Sequence, residues 1–261
     1  MNASVYIVNA FAGSPLGGNP AAVVPVEEWP DEGLMQEIAA QHNLAETAFV
    51  APEGSDYRIR WFTPTVEIKL CGHATLAAAH VFFNHLHFQG GRIVFYSLSG
   101  PLVVYRGEGG KLVLDFPADP PSKTETPKGL TEGLGAIPVE VYKSSFDYLA
   151  LFDEQAEIEK LDPDFGILKK IHARGVIATS KGDTADFVSR CFFPQSGVNE
   201  DQVTGSAHCA MTPYWSGKLG KAKFSAIQLS KRKGFLDCEL KGDRVLMAGF
   251  AFTYLTGKIL V

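Results

Sequence analysis

The sequence predicts an α+β fold of two pseudo-symmetric domains, each a curved sheet wrapped around a central helix. Three observations lead there. Twenty-six glycines and 15 prolines punctuate short β-rich runs, a grammar of strands and turns and not of a helical bundle. The segment from Gly72 to about Leu86 is apolar on nearly every side, with Ala77, Ala78, Ala79, Val81, Phe82 and Phe83 in near succession, the pattern of a buried helix around which a sheet curls. The order strand, Pro, loop, Gly, buried helix then occurs a second time.

Taken along the chain, residues 4–11 read as a strand, followed by the turn Gly17-Gly18-Asn19-Pro20 and a second strand at 21–26. Residues 31–42 place Leu34, Met35, Ile38 and Ala39 on one face of a helix, with Asp31 as N-cap. Strands are expected at 46–51 and 57–63, and after the buried helix at 92–98, 101–106 and 111–116. Asp119 to Gly135, rich in Pro, Thr, Lys and Gly, is the best linker. Beyond it, strands are expected at 138–152, 175–179 and 186–193, with a helical stretch near 154–172. A second apolar helix runs from Thr204-Gly205-Ser206 to about Trp215, and strands continue to Val261. The 261 residues suit two domains of about 130 residues each. We set them at 1–117, with 250–261 as a possible completing strand, and 118–249.

The halves match residue by residue. EIKLCGHATLAAA (67–79) aligns without gaps on EDQVTGSAHCAMT (200–212), pairing Glu67 with Glu200, Gly72 with Gly205 and Ala74 with Ala207. Upstream, Phe62-Thr63-Pro64 resembles Phe192-Phe193-Pro194.

Composition narrows the function. A net charge of −5 gives no long-range attraction to nucleic acid or to an anionic membrane, and Lys231-Arg232-Lys233 reads as a solvated hairpin turn. No apolar run approaches the ~20 residues of a membrane span. Met1 leads directly into a strand pattern, so no signal peptide is expected and the location is expected to be cytoplasmic. Cys71, Cys191, Cys209 and Cys238 lack metal-ligand spacing and read as reduced; no metal site is expected among them.

The repeated loop carries chemistry. In each half a Gly stands where loop becomes helix, and a helix N-terminus offers unpaired N–H groups and a positive dipole end to a carboxylate. Polar residues stand alongside: His73 in the first, Asp201 and Ser206 in the second. Glu46 opens the apolar strand ETAFV. Burial there raises a carboxyl pKa towards that of a general acid/base, while periodicity alone favours a surface strand-end glutamate.

Four motifs, GNPAAVV (18–24), NLAETAFV (43–50), RWFTPTVEIKLCGHATLAAA (60–79) and EDQVTGSAH (200–208), resemble the PhzF-like family, named for a phenazine-biosynthesis isomerase and belonging to the diaminopimelate-epimerase fold. The resemblance covers nearly the whole chain. It implies two domains with the active site between them, no cofactor, and a homodimer. It implies Glu46 as catalytic acid/base, with His73 and Asp201 as its polar partners. Asn19, Gly72, Gly205 and Ser206 would contact a small carboxylate substrate. Two departures stand out: Ala45 where the family often has Ser, and Gln202 where Pro often follows the Asp. Related racemases oppose two thiols; Cys71 stands at the first position, but the second holds Thr204, too weak an acid for that role. The competing expectations are a racemase or epimerase using Cys71 with Glu46, and a ligand-binding protein without chemistry. His80, His85 and His87 are expected as an exposed helix end, and His208 as a packed residue.

Overall fold

The computed structural model describes residues 1–261. In chain order its elements are β1 (Asn2–Ala10), β2 (Asn19–Pro25), α1 (Glu32–His42), β3 (Glu46–Glu53), β4 (Asp56–Phe62), β5 (Glu67–Ile68), α2 (Gly72–Asn84), β6 (Arg92–Ser97), β7 (Gly100–Arg106) and β8 (Leu112–Pro117). There follow β9 (Ser122–Thr124), α3 (Leu130–Leu134), β10 (Glu140–Lys143), β11 (Asp147–Leu151), α4 (Gln155–Lys160), α5 (Phe165–Leu168), β12 (Gly175–Lys181), β13 (Phe187–Phe193) and β14 (Val198–Asp201). The chain closes with α6 (Gly205–Leu219), β15 (Lys223–Gln228), β16 (Gly234–Lys241), β17 (Arg244–Gly249) and β18 (Ala251–Leu260). Contacts divide it into a first unit, Met1–Asp115 with Ala248–Val261, and a second, Phe116–Met247. No helix is long and apolar enough to cross a membrane.

In the first unit β18 returns to pair antiparallel along the whole of β1. β1 pairs with β2, β2 runs parallel to β3, and β3 pairs with β4. The turn into β2 needs glycine: Gly18 has φ +67°, and a Cβ there would lie 2.4 Å from the Ala10 carbonyl oxygen. Helix α1 starts where Asp31 accepts a hydrogen bond from the Gly33 N–H (2.8 Å) and stops at Asn43, in the left-handed conformation. Helix α2 packs against β1, β2, β3 and β18, and eleven of its residues are buried, Gly72 to Ala79 and Val81 to Phe83. Each of the large ones, Leu76, Val81, Phe82 and Phe83, contributes about 1.5–3 kcal/mol by leaving water.

The second unit repeats this logic. β11 runs parallel to β12, β12 pairs with β13, and β13 pairs with β14 and runs parallel to β15. Phe187 of β13 stacks on Trp215 of α6 (5.9 Å, 4° between planes) and lies 6.0 Å from the His208 ring. The duplication extends to an ion pair and its packing. Arg60 binds Glu67 through two nitrogens (2.7 Å each) with its guanidinium 5.2 Å from the Phe62 ring. Arg190 binds Glu200 in the same way (2.8 and 2.9 Å), 5.2 Å from Phe192.

The expected linker is corrected. Residues 119–135 include β9, which pairs with β10, and α3, whose Leu130 and Leu134 are fully buried against Val141, Phe152 and Leu168. The Pro, Thr and Gly there bound elements too short to show a period. Residues 138–152 form two strands around a tight turn, and the helical stretch at 154–172 is two short helices. His80 and His85, expected at an exposed helix end, are half-buried, and both hold the Thr253 hydroxyl of β18 (2.9 and 2.7 Å); His87 is exposed.

His208 is wholly buried, and its Nδ1–H donates to the Thr204 carbonyl (2.8 Å). Burial pushes its pKa down to about 4, against a smaller opposing effect of that bond. Above pH 6.5 neither folded nor unfolded chain protonates this ring. Below it the unfolded chain takes up a proton that the native ring refuses, until about pH 4. We expect this to cost about 3 kcal/mol of stability between those pH values. Urea denaturation across pH 4–7 checks it: His208→Gln is expected to remove that share of the slope, and an unchanged slope would disprove the assignment.

Candidate active site

Three chain segments converge on one imidazole. β2 and β3 are parallel neighbours with Ala21 opposite Glu46, so Asn19 and Glu46 lie at the same end of the sheet. His73, the second residue of α2, is carried to that end because the apolar body of the helix is buried along the sheet. Its Nε2 lies 3.0 Å from Glu46 Oε2. Its Nδ1 lies 3.2 Å from Asn19 Nδ2 and 3.5 Å from Cys71 Sγ. The side chains of His73 and Glu46 retain only 5% and 13% of their exposure, and Asn19 is wholly buried.

The partners dictate where protons sit. An amide nitrogen donates, so Nδ1 facing Asn19 accepts, and the neutral ring carries its hydrogen on Nε2, towards the Glu46 carboxylate. Burial by itself disfavours the imidazolium. The Glu46 carboxylate beside it works the other way and raises the His73 pKa above its ordinary value. Burial first, and then the Glu46 charge, push the Cys71 thiol up to about 11. Cys71 is therefore a neutral thiol at physiological pH.

Donor atoms of Glu46, Cys71 and His73 also lie within 4.8 Å of one another, a spacing open to a metal ion. Cys71 meets Nδ1, however, and Glu46 meets Nε2, opposite edges of one ring. These contacts suit proton handling better than a shared ion. On the far side of Glu46 in the sequence, His42 Nδ1 is 2.9 Å from Thr47 Oγ1, which fixes the strand start.

The second helix start is built differently. Asp201 ends β14, and Gly205 and Ser206 open α6. The Thr204 hydroxyl donates to Asp201 Oδ2 (2.6 Å) and so leaves the helix without a side-chain cap; Cys71 leaves α2 uncapped as well. Neither helix has an acidic residue in its first turn. Of the candidate residues, Glu46, His73, Asn19 and Gly72 thus form one cluster in the first unit, and Asp201, Gly205 and Ser206 lie on one segment in the second. Asn19 faces His73.

Sheet register identifies what the second half holds at the glutamate's position. Thr47 pairs with Phe62, and Val176 pairs with Phe192; since Phe62 and Phe192 are equivalent, Glu46 is equivalent to Gly175. A Cβ on Gly175 would lie 2.1 Å from the Phe193 ring. The scaffold is duplicated, but the carboxylate is not. Sequence reasoning missed Gln228, whose buried amide holds both Asp201 and Thr204. Its only signal was a polar residue on the apolar face of an alternating strand, after Phe224 and Ala226.

Comparisons with known proteins agree with this architecture. The family model for phenazine biosynthesis-like proteins, PhzC-PhzF, matches residues 8–257. A Pseudomonas aeruginosa protein named as an uncharacterized isomerase is 48% identical over 259 residues, covering 99% of each chain. The crystal structure of a PhzF-family phenazine biosynthesis protein from Enterococcus faecalis superposes with a TM-score of 0.96 at 44% identity, covering 100% of both chains. A hydroxyproline epimerase from Agrobacterium vitis shares the fold alone, at 12% identity and a TM-score of 0.65 over 99% of this chain and 92% of that one. With a family model spanning most of its length and relatives near half identity end to end, this chain belongs to the PhzF family of phenazine biosynthesis-like proteins.

Proposed function

We propose that this protein is a cofactor-independent isomerase that moves a proton on a small carboxylate-bearing substrate, with Glu46 as general acid/base. One observation carries the reading: a single carboxylate, nearly withdrawn from water, faces a buried imidazole in one half, while the equivalent position of the other half is Gly175. A single base returns a proton to the face from which it took it. Glu46 accepts the proton as a C–H bond breaks, the electron pair moves into the adjacent π system, and Glu46 delivers the proton to another carbon of that system. The net change is an allylic or tautomeric shift, balanced without any added oxidant or reductant.

The other residues have roles that follow from their surroundings. His73 presents Nε2 to Glu46 at 3.0 Å, orients it and steadies its charge, and Asn19 holds the other edge of that ring. The uncapped N–H groups at Gly72–His73, and those at Gly205–Ser206, are each suited to a substrate carboxylate. Asp201 and Ser206 meet its remaining polar groups. Four free, buried cysteines support a reducing, cytoplasmic setting, and the homodimer implied by the family completes the proposal. A racemase using Cys71 is disfavoured, because its thiol is held near 11 and Thr204 occupies the opposing position.

Incubating the protein with a panel of small carboxylates in D2O, read by proton NMR, tests the base directly. A substrate of the wild type is expected to lose deuterium uptake by about 10²–10⁴-fold in Glu46→Gln; undiminished uptake sinks the assignment. The thiol is tested separately. Native protein treated with iodoacetamide at pH 7.5 is expected to leave Cys71 unmodified by peptide mass spectrometry until denaturant is added, and Cys71→Ala is expected to keep proton exchange within about tenfold of wild type. Rapid native labelling, together with loss of exchange in that variant, would favour the racemase.

A further inference from the structure

Gln228 ends β15 and has no exposed surface. Its Oε1 accepts a hydrogen bond from the Thr204 N–H (2.8 Å), and its Nε2 donates to the Asp201 carbonyl (2.7 Å). This fixes which end of the amide is which: reversed, it would set N–H against N–H and oxygen against carbonyl oxygen. The same Nε2 reaches Thr204 Oγ1 at 3.3 Å. With a donor already aimed at that oxygen, the threonine's own hydrogen is directed to its short contact, Asp201 Oδ2 at 2.6 Å. The order of donation therefore runs from Gln228 to Thr204 to Asp201.

From this chain we infer that Gln228 is a positioning residue that commits Asp201 to act as a hydrogen-bond acceptor. Asp201 then serves as an anion facing a donor on the substrate, an amino or hydroxyl group near the carboxylate, and does not serve as a proton donor. The inference deepens the proposed function and rests on it for the placement of substrate at Asp201. The donation chain itself stands on geometry alone. Thr204 acquires a role as well. Standing where the first half has Cys71, it relays orientation to a carboxylate.

The test separates the two layers. The titration of the Asp201 carboxyl, followed by carbon-13 NMR in the full-length protein without ligand, is expected to move up by about one pH unit in Thr204→Val and in Gln228→Leu. It is expected to stay in place in Thr204→Ser, which keeps the hydroxyl. The double variant is expected to move no further than Thr204→Val alone, because both remove one chain. Thr204→Val is nearly isosteric and carries the test if Gln228→Leu does not fold. An Asp201 titration unmoved by Thr204→Val overturns the inference. If the titration moves as expected but Asp201→Asn exchanges protons on the identified substrate as fast as wild type, the donation chain stands and the functional reading of Asp201 fails.

Discussion

A carboxylate held 3.0 Å from an imidazole, both almost out of water, is the constraint around which the first unit is arranged. Withdrawing a carboxylate from water costs several kcal/mol unless a partner answers it. Here the partner is a ring whose other edge is fixed by Asn19 and Cys71. Each fixture belongs to a different element, so the arrangement exists only when β2, β3 and the start of α2 meet at one end of the sheet. Burial of α2 enforces that meeting. A helix apolar on all sides has no orientation in which it prefers solvent, and once enclosed it delivers its second residue to the sheet's end.

The two halves separate scaffold from chemistry. What they share is structural: the Arg–Glu pair stacked on a phenylalanine, a proline after the strand that carries both Arg and Phe, and a Gly opening a buried helix. They differ at the positions that face a helix start. Glu46 answers to Gly175, Cys71 to Thr204, and His73 to Ser206. The carboxylate–imidazole pair belongs to one half, and the other half has hydroxyls, backbone N–H groups and Asp201 at these positions. Opposed-base chemistry needs symmetry at these positions. Its absence argues for one base working on one face more directly than any single contact does.

Much of this was legible in the sequence because the strongest signals are collective. The apolar run 74–83 reports a buried helix whatever its surroundings, and the gap-free match of 67–79 to 200–212 reports duplication. The same signals fail where elements are short. Leu130 and Leu134 are core residues on one turn of helix, and five residues cannot display a period. The proline- and glycine-rich stretch around them therefore read as a linker. Long-range partners were equally hidden. Asn19 read as a turn residue, and nothing local shows that its amide meets a ring 54 residues away. Gln228 looked like an ordinary strand end, because the segment it moulds lies 24 residues upstream.

The departure at position 202 shows how a fold preserves placement while changing its means. A proline there fixes one backbone torsion and removes an N–H. Gln202 fixes the same segment by reaching across to the following hairpin. Its carbonyl accepts from the Ser230 hydroxyl (2.7 Å), and its side-chain oxygen accepts from the Arg232 N–H (3.2 Å). Two residues to one side Gln228 holds Asp201 and Thr204, and to the other Gly234 leaves room for Val203, whose methyl would lie 2.3 Å from an added Cβ. Alternate residues of one hairpin thus hold every residue from Asp201 to Thr204. Rigidity that a ring supplies covalently is here supplied by a mould, and the mould reaches the basic turn Lys231-Arg232-Lys233. Its backbone is tied to the candidate site through Gln202, although its lysines face solvent.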